Sequence, residues 1–227
     1  MSMFDKIIGA LLLVALFVTS PVNASAQNEE SIRKGLWEII LSPQYMLAKN
    51  LGFDGGTTAK IEDTWGFHLQ IGYNFNDHWN LAGLFSWSEP DYHALVQPAA
   101  GNPLPARNTS GTIQMNTFGM ALTYNILKSP LTPYIDGMLA GTYINTDIAA
   151  GPPQVGCYWD PWFGQICGTF QETKSDTFFT FGLGGGLRWD VNRWLFLRGG
   201  ARYQWIDISN TGVPGFTLVK LDVGFKF

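Results

Sequence analysis

The sequence predicts an all-β fold: an eight-stranded antiparallel transmembrane β-barrel preceded by a cleaved signal peptide. Three observations lead there. The dominant hydrophobic period is two, the mark of a strand with unlike faces. The links between the periodic segments alternate strictly between short and long. Aromatic residues (15%) slightly outnumber charged ones (14%), whereas a soluble domain carries about 25% charged residues. So much apolar mass excludes a disordered chain. A mean hydropathy of +0.03 argues against helical spans. A net charge of -4 with a pI near 5.3 argues against nucleic acid as a partner.

The first 26 residues read as a secretory signal. Lys6 gives a positive start, Ile7 to Val18 an apolar core, Pro21 a break, and Ala24-Ser25-Ala26 a cleavage site. The mature barrel domain is then expected over 27–227. A short transmembrane anchor is the alternative, but the apolar run is too short to span and no basic stop-transfer stretch follows.

Eight strands follow in order. Trp37 to Ala48 sets Trp37, Ile39, Leu41, Tyr45 and Leu47 against Glu38, Ser42 and Gln44. Trp65 to Phe75 alternates without a break, its odd positions apolar and its even ones Gly66, His68, Gln70, Gly72 and Asn74. Trp79 to Ser88 repeats the pattern. Asn116 to Ile126 and Pro133 to Asn145 are weaker, and Thr177 to Asp190 has a glycine-rich face that ends in Arg188 and Asp190. Leu195 to Ile206 sets Leu195, Leu197, Tyr203 and Trp205 against Arg198, Arg202 and Gln204. The last twelve residues set Thr217, Val219, Leu221, Val223, Phe225 and Phe227 against Lys220, Asp222 and Lys226. Tight links of Asn, Asp, Ser and Pro follow the second, fourth and sixth strands. Long links rich in Gly, Pro, Asn and Thr follow the others, at about 49–64, 89–115, 146–176 and 207–216. A soluble sandwich has no reason to sort its loops this way; an outer-membrane barrel, with short periplasmic turns and long extracellular loops, does.

The polar face decides what the apolar face meets. It is small and uncharged over most of its length, as a narrow lumen requires. Its few charges carry both signs: Glu38, Asp136, Asp190 and Asp222 against Arg188, Arg198, Arg202 and Lys220. Opposite charges can pair in a tight interior, so these eight are expected to form a lumen ionic network. Aromatic rings gather at strand ends, where an apolar body with a polar edge suits the headgroup level. Phe75, Trp79, Tyr124 and Trp189 mark the short-turn end, and Trp65, Trp87, Tyr143 and Trp205 the long-loop end. Trp79 and Trp87 would stand roughly 20 Å apart along the normal, close to the apolar band of such barrels.

The chain resembles the small eight-stranded outer-membrane β-barrels of Gram-negative bacteria, the OmpA/OmpX/OmpW-like superfamily. The likeness rests on GYNFNDHWNL, on TPYIDGMLAG and above all on the terminal VKLDVGFKF. It implies a bacterial outer-membrane location with periplasmic termini and extracellular long loops. It also implies that Val223, Phe225 and Phe227 are read by the barrel-assembly machinery. The expected surroundings are outer-membrane lipid and lipopolysaccharide, and the expected state is a monomer. The expected function is an envelope-structural or surface-interaction role carried by the long loops. The alternative is an OmpW-like channel for small hydrophobic molecules, and a lipid A-modifying enzyme ranks below both.

No cofactor, metal or catalytic site is assigned. Cys157 and Cys167, the only cysteines, lie in one long loop and read as a disulfide in an exported protein. Trp159, Pro161, Trp162 and Phe163 between them would form an aromatic tip, either packed on neighbouring loops or free to meet a surface. His93, near Ser88, Glu89 and Asp91, is the one cluster that a hydrolase could use, and such polar groups after a strand are usually loop chemistry.

Overall fold

The computed structural model describes residues 31–52, 56–97, 105–149, 154–162, 164–170, 173–208 and 212–227. The predicted signal peptide lies outside them. Period-two segments become strands because alternate side chains must leave opposite faces of a pleated sheet. Among the described residues there are thirteen: β1 (Trp37–Met46), β2 (Lys49–Gly52), β3 (Thr58–Ile61), β4 (Thr64–Asn74), β5 (Trp79–Ser88), β6 (Asp91–Val96), β7 (Arg107–Asn125), β8 (Leu131–Ala149), β9 (Gln154–Asp160), β10 (Gly164–Phe170), β11 (Thr173–Asp190), β12 (Leu195–Asp207) and β13 (Gly215–Lys226).

Eight of these close a barrel in the order β1-β4-β5-β7-β8-β11-β12-β13, every pair antiparallel. The seam joins β13 to β1, from Glu38 opposite Lys226 to Met46 opposite Leu218. Closure leaves the barrel wall no free edge, the condition for crossing lipid with strands. Phe227 and the segment entering β1 meet at the short-turn end: the Trp37 amide donates to the Phe227 carbonyl at 2.9 Å and the Phe227 amide to Trp37 at 3.0 Å.

The long links are more ordered than the sequence suggests. β2, β3 and β6 add to the upper part of β7 as a side sheet, β9 and β10 form a separate hairpin, and β7 and β8 run 19 residues each. At about 3.3 Å per residue such strands reach some 60 Å, more than twice an apolar band. The extra strands are short and their alternation is shallow (TAKI, DYHALV), so composition hid them.

Within the band the faces fall as lipid demands. Leu41, Phe67, Ile71, Phe118, Met120, Leu183 and Leu221 are exposed, while Glu38, Ser42, Gln70, Thr123 and Asp222 are buried. Two glycines make room inside. A Cβ at Gly184 would collide with Asp136 Oδ1, and one at Gly224 with the ring of Phe196, which is fully buried.

Candidate functional site

The lumen is built in layers. At the short-turn end, Arg188 and Asp190 come from the end of β11, Glu38 from the start of β1 and Lys226 from the end of β13. Arg188 Nη2 donates to Glu38 Oε1 at 2.6 Å and to Asp190 Oδ1 at 2.9 Å, while its guanidinium lies 3.8 Å over the Phe196 ring. Lys226 Nζ donates to Asp190 Oδ1 at 2.7 Å. All four charged side chains are buried, so each desolvated charge leans on a partner at close range.

Arg33 completes this layer, and nothing in the hydrophobic pattern marks it, because it lies before β1 in no periodic segment. Its guanidinium donates to Asp190 Oδ2 at 2.7 and 2.9 Å. It also donates to the carbonyls of Asp77 and Leu127 at 3.0 Å and of Ser129 at 2.7 Å. One fully buried side chain thus ties the first two short turns and the end of β11 to the N-terminal segment. Asp77 returns the contact, with Oδ1 accepting from the Arg33 amide and the Ser31 hydroxyl, each at 2.9 Å. Burial alone would push the Asp77 carboxyl up; these hydrogen bonds more than offset it and hold it below the usual carboxylate range.

Further along the lumen, Arg198 Nε donates to Asp222 Oδ2 at 2.8 Å, and the Ser42 hydroxyl donates to Asp222 Oδ1 at 2.5 Å. Arg202 pairs with Asp136. His68 Nε2 lies 3.5 Å from Gln70 Oε1. On the opposite wall, hydroxyls of Thr117, Thr142 and Thr180 form a buried chain at 2.9 and 2.7 Å. Lys220 is 4% exposed, and its Nζ has no hydrogen-bond partner among the described residues. All eight charged residues singled out from the sequence are therefore buried, seven of them in direct ion pairs.

Beyond Lys220 the interior changes character. Met46, Ile61, Tyr92, Met115, Ile206, Phe216 and Leu218 pack into a buried apolar cluster at the long-loop end, with Leu51, Ala94 and Ile113 against it. There the side sheet turns its apolar face inward and shows Lys60, Asp91 and His93 to solvent. A cleft of about 730 Å3 lies among the tips of β2, β3, β6 and β7.

The aromatic residues form contacts at both ends. Trp79 and Tyr124 pair at 4.7 Å and Tyr73 and Phe75 at 5.5 Å near the turns; Tyr45 and Trp65 pair at 5.0 Å and Phe181 and Trp205 at 5.2 Å near the loops. Trp87, Tyr143 and Trp189 are exposed on the same outer wall, as are Val223, Phe225 and Phe227. Ser88 and His93 do not come together: Ser88 is buried, whereas His93 faces solvent with Nε2 4.0 Å from Glu62. Cys157 and Cys167 stand directly opposite across the β9–β10 hairpin, though the Cys167 side chain lies outside the described part. Trp159 and Trp162 near the tip of that hairpin are exposed, and Phe163 lies outside the described residues.

Residues 10–227 match the family described as outer membrane protein beta-barrel domain. The chain belongs to that family. It is accordingly a β-barrel of the bacterial outer membrane. OprG from Pseudomonas aeruginosa is similar in fold at 14% identity, covering 88% of this chain and 99% of its own, with a TM-score of 0.50. Neisserial surface protein A is 18% identical over 85% of this chain and 96% of its own, TM-score 0.48. Ail of Yersinia pestis is 15% identical over 86% of this chain and 99% of its own, TM-score 0.48. A search of curated proteins found no match.

Proposed function

We propose that this barrel is a non-enzymatic, monomeric outer-membrane protein with a lumen shut to solutes. Its envelope-structural or surface role is carried by the side sheet and loops at the long-strand end. In this reading a signal peptide exports the chain, the termini and short turns face the periplasm, and the long end faces outward among lipopolysaccharide. The terminal Val223, Phe225 and Phe227 serve the assembly machinery. The observation that carries the closed lumen is the Arg33–Asp190–Arg188–Glu38 layer, in which each side chain is at most 5% exposed. Eight strands leave a lumen only wide enough for side chains to fill, and here those side chains are locked by short charge-assisted bonds.

The hairpin pairing supports a disulfide between Cys157 and Cys167, since directly opposed residues of antiparallel strands are ~4.5–5.5 Å apart at Cα, within bridging range. In planar bilayers the purified protein is expected to give no conductance above lipid alone, and grafting 89–106 and 150–172 onto another barrel is expected to transfer surface binding. Stable single-channel currents would reject the closed lumen; a graft that transfers nothing would reject the surface role.

The second reading, a path for small hydrophobic molecules, is favoured by the apolar mouth around Tyr92, Met115 and Phe216. It requires slower uptake of an apolar solute in a deletion strain, restored by the wild-type gene.

A further inference from the structure

The lumen charges do not balance locally. At the short-turn end, Arg33, Arg188 and Lys226 face Glu38, Asp190 and Asp77. In the middle layer, Arg198, Arg202 and Lys220 stand with Asp136 and Asp222, the carboxylates that Arg198 and Arg202 pair with directly among the described residues. Both carboxylates are engaged, Asp222 by Arg198 and Ser42, Asp136 by Arg202. Lys220 is left over, a buried ammonium without a hydrogen-bond partner among the described residues, in a wall surrounded by lipid. The charges that act on it most are Arg202, Asp222, Asp136 and Arg198, two of each sign. His68 is a further electrostatic neighbour, and it leaves Gln70 with its amide nitrogen unused. Arg202 Nε also lacks an acceptor. Among the described residues, three buried donor atoms thus lack acceptors in the layer with one positive charge too many.

We infer that this layer is a lumenal site for one small monovalent anion of the halide class, held by the Lys220 ammonium with help from Gln70 Nε2 and Arg202 Nε. Water would satisfy hydrogen bonds there and leave the charge uncompensated, and an unpaired buried charge is costly. The flanking Asp136 and Asp222 carboxylates repel a second negative charge, which disfavours phosphate and sulfate. Among the described residues, Asp136 Oδ1 is the acceptor of the layer without a partner, so direct Lys220–Asp136 pairing is the competing arrangement.

Bromide is the probe. Because the lumen is closed, the anion must be present while the barrel folds: crystals of barrel refolded and crystallised in sodium bromide are expected to show an anomalous peak within hydrogen-bonding distance of Lys220 Nζ. In urea unfolding at constant ionic strength, with gluconate replaced by bromide, the folded-to-unfolded ratio is expected to climb towards tenfold per tenfold bromide once the site fills. Lys220→Gln removes the dependence, and Lys220→Arg keeps it. Absence of the anomalous peak, a bromide-independent wild type, or an unchanged dependence in Lys220→Gln overturns the site. If Lys220→Gln does not fold, the two wild-type measurements decide alone.

Discussion

The wall inside the membrane and the sheet that emerges from it use one backbone pattern with opposite polarity. In the band, Met120 and Leu183 look outward and Glu38 and Asp222 inward; in the side sheet, Ile61 and Tyr92 are buried while Lys60 and His93 look outward. Both regions alternate with period two, and β7 passes from one to the other. Alternation therefore specifies a strand, and the surrounding medium selects which face is buried. Lipid excludes charge from the outer wall, and ion pairs occupy the core; water accepts charge outside, and a conventional apolar cluster forms within.

The largest expected effect comes from the core of the band. Arg188→Ala takes both charge-assisted bonds from Glu38, leaving it the 3.4 Å bond from Asn80, and leaves Asp190 with fewer partners; removing one member of a buried network costs about 3–5 kcal/mol. Urea unfolding in lipid vesicles measures it. Replacing Arg188 and Glu38 together by Met and Leu is expected to recover much of the loss. If the double variant is as unstable as Arg188→Ala, the ionic core contributes more than mutual compensation of charge.

The outer faces give the next contrast. Met120 stands opposite Gly83, midway between Trp79 and Trp87 along β5, so Met120→Arg puts a cation near the middle of the acyl region. The expected loss is about 2–4 kcal/mol. His93→Arg on the side sheet is expected to stay within about 0.5 kcal/mol. Equal effects in the two variants would place the side sheet in lipid and remove the contrast.

How far the two regions were legible from sequence follows from the same physics. Trp65 to Phe75 declares its strand and its faces because lipid forbids exceptions: each outward position must be apolar. The side sheet hides because four-residue strands such as TAKI carry too few residues to establish a period, and Gly, Asn and Thr around them read as loop. The eight lumen charges were legible as polar interruptions of apolar strands. Arg33 was not, since its role depends on carbonyls of two turns far away in sequence. Lys226 sat on the inward face in plain view, but its partner Asp190 is 36 residues distant. Phe196 broke the pattern by pointing an aromatic ring inward, which only the missing Cβ of Gly224 permits.

A smaller, pH-dependent effect belongs to the short-turn end. The folded Asp77 carboxyl titrates below its unfolded value of ~3.9. Its contribution is thus fully present above that unfolded value and is lost as pH falls through the lower folded one. Asp77→Ala is expected to cost about 1.5–3 kcal/mol at neutral pH, the range for hydrogen bonds to a charged group. It should also flatten the acid limb of the stability curve below about pH 4. An acid limb unchanged in the variant would assign that limb to the lumen carboxylates instead.

The smallest effect on the barrel should come from its most remote feature. Among the described strands β9 and β10 pair only with each other, outside the barrel's hydrogen-bond ladder. A Cys157–Cys167 bridge therefore constrains the hairpin alone, by ~2–3 kcal/mol on the loop-entropy view. Reduction, or Cys157→Ser with Cys167→Ser, is expected to speed proteolysis between β8 and β11. It should leave the urea midpoint of the barrel unchanged and the shift of unboiled protein on gels intact. Mass spectrometry of the non-reduced chain tests the bridge itself: two free thiols would remove it. A barrel midpoint that falls on reduction would show that the hairpin packs on the apolar mouth, and the emergent region would then be one cooperative body with the wall beneath it.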